Sequence, residues 1–433
     1  MATISLGAFG GGFDLDELDL APLAGRQASL ENGALVRIVA ADGWAHEFSG
    51  QGFQQSGSQI VGGSVNGYSV KFQGLTVLSV AGLSLAGAQV FTTVLAGDTA
   101  AFLQSLFGGA DTLTGSSAGE TFRLGAGDDW VTGLGGLDLF DGGSGRDTAA
   151  FSGLRASYRV TSGGPGVSVL DLRTPSADGR DVLFNFEALQ FADATLDLSR
   201  VDGVTQSAYG RVLRADHSGG FDVALDVGNG LLSRVDALAR MADAADATTS
   251  VATLAYAFFT GGVPTLAGLD YLVSSDGPNP NSLNSAYYQS FNLENRYINF
   301  AVNLGKLGEG SRAFAERYGG QSLFEATRVA YAEIFGARPS DEFVHALLDP
   351  VLQFNNTAMT RAAYFAHYGQ DGPEGIGAKA AMVGWLLAEA AKADVGLYAR
   401  ANEAFLTDLG LNNTAGVDLI GVYGRPEYVY TSA

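Results

Sequence analysis

The chain has 433 residues, no cysteine, 60 glycines and a formal net charge of −21. The lack of cysteine excludes disulfides, thiolate metal sites and a cysteine nucleophile. The negative charge disfavours binding to nucleic acid phosphates or anionic membranes unless a divalent cation bridges the two.

The first ten residues lack the basic and continuous apolar regions of a cleavable signal peptide. No apolar run reaches the roughly 18 residues needed to span a bilayer. An acidic chain without cysteine suits a calcium-rich medium outside the cell. We therefore expect one-step export with a C-terminal signal, placed by default in residues 422–433.

Residues 1–105 are rich in glycine and serine and contain short β-like runs at 34–39, 69–73 and 75–80. The pairs Gly62-Gly63 and Asn66-Gly67 punctuate these runs in the manner of turns. We predict a β-rich, solenoid-like domain here and assign it no function of its own.

Acidic residues then recur every nine residues, at Asp111, Glu120, Asp129, Asp138 and Asp147. An inward-facing residue follows each acid two places later: Leu113, Phe122, Val131, Phe140 and Ala149. Glycines in the intervening turns allow positive φ. Six residues of turn and a three-residue strand form half a coil of a parallel β-roll, in which aspartates and turn carbonyls can bind Ca²⁺. Because stacked carboxylates repel one another, folding is expected to require the ion.

This block resembles the repeats-in-toxin (hemolysin-type) calcium-binding family, whose pattern is G-G-x-G-x-D-x-U-x. The resemblance implies type I secretion and Ca²⁺ ligands at Asp111, Glu120, Gly127, Asp129, Gly136, Asp138, Gly145 and Asp147. Glu120 departs from the pattern, and Leu134 and Leu137 crowd one turn, so we expect only a few ions. The β-roll and a strand-rich cap are predicted to occupy residues 106–198.

From about Ser199 the apolar residues recur at helical spacing, and clusters of Gly, Pro and Asn at 276–281 and 370–375 separate the helices. We predict an all-α domain over residues 205–433. The whole chain is therefore predicted to be multidomain, with an N-terminal β-rich region that includes the parallel β-roll.

Residues 251–304, and Glu294 to Asn299 in particular, resemble the N-terminal anchoring domain of the Caulobacter-type surface-layer protein. Residues 379–384 and 412–419 fit the same domain. The resemblance implies non-covalent attachment to the O-polysaccharide of lipopolysaccharide, assisted by Ca²⁺. Since the anchor here follows the calcium repeats instead of preceding them, we expect a secreted protein retained at the outer cell surface beside the surface-layer protein, not a lattice former.

Neutral sugars are held by aromatic faces and amide hydrogen bonds, and one stretch supplies both. The candidates are Tyr287, Tyr288, Asn292, Asn295, Arg296, Tyr297 and Asn299. Spacings of three and four predict that the polar members share one helix face. The alternative is structural, with Arg296 paired to an acid and the asparagines capping helix ends. In the loop from 270 to 284, Asp270 and Asp276 are candidate Ca²⁺ ligands, against simple turn chemistry.

Catalytic motifs give no support for an enzyme. His46, His217, His345 and His367 lie far apart and form no HExxH pair, and the GxSxG match at 115–119 falls inside the calcium repeat. We therefore expect a non-enzymatic binding protein. Two alternatives stay open: a polysaccharide-processing enzyme with its chemistry in residues 1–105, and an adhesion or biofilm matrix protein.

Overall fold

The computed structural model describes residues 1–7, 12–215 and 219–412. The chain divides into two compact units, Met1–Val201 and a second that begins at Asp202. The first is rich in strands and the second in helices, which confirms the predicted order of the two classes. The predicted export signal in residues 422–433 lies outside the described residues.

The first unit begins with six strands that pair antiparallel with one another. These strands are β1 (Thr3–Leu6), β2 (Ser29–Glu31), β3 (Leu35–Val39), β4 (Trp44–Ser56), β5 (Gln59–Phe72) and β6 (Leu75–Ala86), with 3₁₀ turns at Leu15–Glu17 and Ala21–Leu23. Two helices follow, α1 (Gly87–Ala96) and α2 (Thr99–Leu106), which the β-rich prediction for residues 1–105 did not include. Their inner residues Phe91 and Phe102 pack edge-on against Phe48 of β4, so they cover one face of the sheet.

The pairs Gly62-Gly63 and Asn66-Gly67, which were predicted to be turns, lie inside β5. Gly63 has φ +95°, and the β4–β5 pairing shifts register between Gln51 and Gln54. A Cβ on Gly67 would approach the Ser49 side chain to 2.5 Å. These glycines therefore permit β-bulges and close strand approach instead of reversing the chain.

Short strands make up the rest of the first unit. They are β7 (Thr112–Thr114), β8 (Thr121–Arg123), β9 (Trp130–Thr132), β10 (Leu137–Asp141), β11 (Thr148–Ala150), β12 (Tyr158–Gly163), β13 (Gly166–Asp171), β14 (Arg180–Phe184), β15 (Ala188–Gln190) and β16 (Thr195–Asp197). The strands of the repeat alternate between two sheets. One sheet has the order β16-β15-β11-β9-β7-β1-β6-β5-β4-β3-β2, and the other has the order β12-β13-β14-β10-β8.

The repeat region forms two parallel ladders, which we name by their strands. The β7–β9–β11–β15 ladder aligns Leu113 with Val131, and Val131 with Ala149. The β8–β10–β14 ladder aligns Phe122 with Phe140 and Leu183. All of these side chains are buried, so the ladders enclose an apolar core. Because β1 pairs with both β6 and β7, residues 1–105 and 106–198 share one sheet.

The second unit is helical. Its helices are α3 (Gly203–Leu213), α4 (Gly220–Gly228), α5 (Arg234–Ala245), α6 (Thr249–Thr260), α7 (Leu266–Val273), α8 (Ala286–Gln289), α9 (Leu293–Val302), α10 (Ser311–Tyr318), α11 (Leu323–Phe335), α12 (Asp341–Leu348), α13 (Arg361–Gly369), α14 (Ile376–Ala393) and α15 (Gly396–Gly410), with a π-helical turn at Asn303–Leu307. The all-α prediction misses one hairpin, β17 (Val351–Phe354) with β18 (Thr357–Thr360).

The core of this unit is built around α14, whose alanine-rich sequence is buried along most of its length. Small residues let α9 approach closely: a Cβ on Gly384 would lie 2.6 Å from the carbonyl oxygen of Tyr297. Over the described ranges, none of the helices has the length and apolar character that crossing a membrane requires.

Candidate functional site

The acids of the nine-residue repeat stack in a column along the β7–β9–β11–β15 ladder. Asp111, Asp129 and Asp147 are buried. The Oδ1 of Asp129 accepts the backbone N–H of Asp111 at 2.7 Å, and the Oδ1 of Asp147 accepts that of Asp129 at 2.8 Å. Glu187 continues the column, since its Oε2 accepts the N–H of Asp147 at 2.7 Å. One oxygen of each carboxylate thus ties a coil to the one before it.

The second oxygen of each aspartate is the feature that needs a partner. The Oδ2 atoms of Asp111, Asp129, Asp138 and Asp147 are buried, and within the described part of the chain they accept no hydrogen bond. Burial raises the pKa of Asp129 to about 6 and raises the pKa values of Asp111 and Asp147 as well. A buried carboxylate oxygen without a partner is costly, and a cation beside it would offset that cost.

Turn glycines leave room beside two of these oxygens. A Cβ on Gly142 would lie 2.5 Å from the Oδ2 of Asp147, and one on Gly133 would lie 2.5 Å from the Oδ2 of Asp138. Backbone carbonyl oxygens face the same space, as that of Asn185 does near Gly142. Carboxylate and carbonyl oxygens are the donors that Ca²⁺ prefers, so these residues fit that ion.

The other predicted ligand glycines hold the coils together. Gly127, Gly136 and Gly145 have φ of +133°, +123° and +141°, which favours glycine. A Cβ on Gly145 would lie 1.9 Å from the carbonyl oxygen of Gly127, and one on Gly136 would lie 2.3 Å from that of Ala118. In the described residues no three Asp, Glu or His side chains converge as a metal cluster. Any ion here would therefore be held by one or two carboxylates, with turn carbonyls completing its ligands.

The β8–β10–β14 ladder carries a shorter column. The Oδ1 of Asp138 accepts the N–H of Glu120 at 2.9 Å. Glu120 itself turns back into its own coil, where the hydroxyl and N–H of Ser116 both donate to its carboxylate. Asp181 lies opposite Asp138 in the ladder, and burial together with the neighbouring carboxylate raises the pKa of Asp181. Glu120 is therefore satisfied without an ion, whereas Asp138 is not.

Asp181 and Glu187 are members of the columns that the nine-residue phase did not reveal. Each is followed two places later by a buried leucine, Leu183 or Leu189, as in the repeat. The β12–β13 hairpin is inserted before them and breaks the phase. An acid followed two residues later by an apolar residue, without the fixed nine-residue spacing, is the sequence pattern that indicates both column members.

In the helical unit, most of the residues predicted to bind sugar have structural roles. Tyr297 is fully buried. Arg296 donates to the backbone carbonyls of Phe291, Ala247 and Gln289 at 3.0, 3.0 and 3.2 Å, not to an acid. Asn292 is the N-cap of α9, with its Oδ1 accepting the N–H of Asn295 at 2.9 Å.

The predicted single polar face is also interrupted. Tyr288 lies on α8, and the chain turns before Asn292 begins α9, so only Asn295 and Asn299 share a helix. The Oδ1 of Asn295 accepts the hydroxyl of Tyr364 at 2.6 Å. Tyr287 is 55% exposed and packs edge-on against Tyr288. Helical spacing was misleading here because α8 ends at Gln289 and Asn292 starts a new helix as its N-cap.

A cavity of about 390 Å³ opens beside Tyr288. Its walls combine aromatic rings with side-chain amides and one carboxylate: Tyr256, Tyr271, Tyr288, Phe300, Asn279, Asn281, Asn303 and Glu309. The Tyr256 hydroxyl donates to Glu309 at 3.3 Å, and Tyr271 is 51% exposed. Aromatic faces with convergent amides suit a neutral sugar better than a charged group.

The two other predicted metal ligands differ in their surroundings from the ladder acids. Asp270 lies within α7, not in the loop that follows it, and it forms an ion pair with Arg214 at 2.9 Å. Asp276 is exposed and accepts from the Ser275 hydroxyl at 3.4 Å. Neither carboxylate has a buried oxygen without a hydrogen-bond partner, as the aspartates of the ladders have.

Together these features define a two-unit protein in which a strand-rich unit with stacked acids precedes a helical unit with an aromatic cavity. Residues 248–431 match the family model of the RsaA N-terminal domain, less than half of the chain. That domain is a surface-layer module that anchors to lipopolysaccharide, so the predicted resemblance of the helical region is confirmed.

No curated protein matches the chain. Among solved structures, the extracellular lipase LipA from Serratia marcescens is similar over 21% of this chain and 15% of the lipase, with 19% identity and a TM-score of 0.19. The match thus spans a small part of the lipase.

Proposed function

We propose that the chain is a secreted, non-enzymatic cell-surface protein that attaches to the O-polysaccharide of lipopolysaccharide through its helical unit, beside the surface layer. The family match over residues 248–431 carries the proposal. The aromatic and amide cavity near Tyr288 supports it, because it offers the groups that hold a neutral sugar.

The first unit is, in this proposal, a repeats-in-toxin β-roll that binds Ca²⁺ after export. The supporting observation is the row of buried Oδ2 atoms on Asp111, Asp129 and Asp147, the last of which lies beside the turn glycine Gly142. Ca²⁺ would remove the cost of burying these charges. Folding of this unit would therefore await calcium outside the cell.

Attachment is tested by binding of the full chain, in calcium, to cells with and without O-polysaccharide. We expect binding to the first only, and equal binding to both would refute the proposed partner. Tyr271→Ala, in the cavity wall, should weaken binding about tenfold or more, as stacking faces contribute strongly to recognition. Tyr287→Ala is a matched comparison, because Tyr287 is similarly exposed but does not line the cavity. Loss confined to Tyr287→Ala would place the sugar where the sequence first suggested.

Calcium dependence is tested separately by far-UV circular dichroism of the full chain during calcium titration. We expect β-structure to form with calcium and to be lost in excess chelator, while the helical signal persists. A spectrum unchanged by chelator would refute the calcium-coupled β-roll and leave the attachment proposal standing.

A further inference from the structure

A second cavity, of about 280 Å³, lies within the first unit and belongs to neither proposed activity. Its floor is formed by strands β4, β5 and β6, and its rim by the 3₁₀ turns near the N-terminus. The lining residues are Trp44, His46, Asp14, Glu17, Asp19 and Asp42, together with apolar neighbours. This volume is near the lower end for small-molecule sites, so it fits a ligand of about one sugar ring or one long side chain.

The charge of this cavity is one-sided. Four carboxylates line it, and no lysine or arginine among the described residues does. Asp14, Asp19 and Asp42 each use one oxygen to accept a nearby backbone N–H, at 2.8, 2.8 and 3.3 Å. Over the ranges that the structure describes, no basic side chain forms an ion pair with any of the four, Glu17 included. The field in the cavity therefore favours a cation.

His46 supplies an independent indication of a ligand. Its side chain lines the cavity although the residue is only 3% exposed. The ring Nδ1 lies 2.7 Å from the hydroxyl of the fully buried Tyr68. That hydroxyl has no other partner in the described residues, and a buried hydroxyl proton left without an acceptor is costly, so we assign it as the donor to Nδ1 and place the ring proton on Nε2. Nε2 is thus an N–H donor on a buried side chain that lines the cavity, and the described part of the chain provides no acceptor for it.

The imidazole is also neutral. Burial lowers the pKa of His46 to about 4, and the charge of Asp42 opposes this effect only in part. A neutral ring does not repel a cation. Trp44 completes the wall and is held from behind by Phe72, whose ring centroid is 4.7 Å away and which does not line the cavity. An aromatic face beside carboxylates suits an ammonium group on a compact body.

We propose that this cavity binds a single protonated amine carried on a small hydroxylated or amide-bearing body. The carboxylates take the ammonium group, the Nε2–H of His46 donates to a ligand oxygen, and Trp44 packs against the body. An amino sugar and a lysine side chain share this chemistry.

The test is isothermal titration of the full chain, in saturating calcium, with D-glucosamine, N-acetyl-D-glucosamine and Nα-acetyl-L-lysine methylamide at a pH where both amines are protonated. We expect D-glucosamine to bind at least about tenfold more tightly than its uncharged N-acetyl form, since a charge-assisted hydrogen bond is lost. Whichever of the two amines binds more tightly identifies the source, sugar or peptide.

The double variant Glu17→Gln with Asp42→Asn should weaken amine binding by about tenfold or more. The amide oxygen introduced by Asp42→Asn can still accept the N–H of Trp44, so the local turn is kept. Glu31→Gln, at an exposed acid of β2 that does not line the cavity, is the matched control and should leave affinity unchanged. Equal binding of D-glucosamine and its N-acetyl form would overturn the proposal. The proposal would also be overturned if neither amine bound at millimolar concentration, or if the double variant kept its affinity for the amine.

Discussion

Gly145→Ala tests how closely the coils of the β7–β9–β11–β15 ladder stack. Gly145 has φ +141°, and an added Cβ would lie 1.9 Å from the carbonyl oxygen and 2.6 Å from the carbonyl carbon of Gly127. Backbone atoms cannot yield as a flexible side chain can. The coil must therefore shift, together with the adjoining hydrogen bond from the Gly127 N–H to the carbonyl of Ser144 at 2.8 Å.

The magnitude follows from two costs. A non-glycine residue in this region of φ costs roughly 1–3 kcal/mol. Losing one or two backbone hydrogen bonds in a buried stack adds about 1 kcal/mol each. We expect Gly145→Ala to lower the free energy of unfolding by roughly 2–5 kcal/mol. Gly164→Ala is the matched control: it has φ +59° in the β12–β13 turn, with no atom within 4 Å of the added Cβ. That variant should lose only about 1 kcal/mol.

The assay is urea unfolding of both variants in saturating calcium, followed by calcium titration of each. Gly145→Ala should also require more calcium to fold, because its clash moves the carbonyl of Gly127, which the repeat pattern predicts to be a Ca²⁺ ligand. If the two variants lose equal stability, the close stacking of coils is wrong. If Gly145→Ala loses stability but keeps its calcium midpoint, the stacking stands and the ion assignment fails.

Three other side chains provide further tests. Asp129→Asn keeps an oxygen for the N–H of Asp111 but removes the buried charge, so the calcium midpoint for folding should rise about tenfold; an unchanged midpoint would exclude Asp129 as a ligand. Burial lowers the pKa of His46 from its ordinary 6.5 to about 4. The neutral ring therefore contributes fully to the free energy of unfolding above pH 6.5, and this contribution, about 3 kcal/mol in all, is lost as pH falls toward 4. Urea unfolding of His46→Gln at fixed calcium should show a correspondingly flatter decline across that window, and an identical slope would contradict the assignment. Asp202 caps α3 by accepting the N–H of Thr205 at 2.8 Å, so Asp202→Ala should cost about 1–2 kcal/mol in thermal unfolding and Asp202→Asn clearly less; equal losses would show that the charge and not the cap matters.

Local periodicity predicted much of the first unit. Phase-locked acids and apolar residues indicated the short strands and their buried side chains, because a strand of three residues depends mainly on its own sequence. The inserted β12–β13 hairpin defeated the phase, and Asp181 and Glu187 were missed as column members. Gly62-Gly63 was misread because a bulge and a turn make the same local demand for glycine.

The side-chain contacts of the helical unit were harder to predict from the sequence. Arg296 and Tyr297 have the composition of a sugar site, but their surroundings are set by α14 and by residues some fifty positions away. Both cavities unite distant segments, such as Asp14 with His46, and Tyr256 with Asn303. Residue types along the chain do not reveal such pairings, since packing between elements decides them.

Strand β1 has a consequence for how the first unit reaches its fold. It lies between β6 and β7, so its partners are roughly 75 and 110 positions further along the chain. Closing contacts of such sequence separation costs entropy before any packing repays it, and chains rich in them fold slowly. Strand β1 is made first, yet it cannot complete its pairing until the chain has been made as far as Thr114.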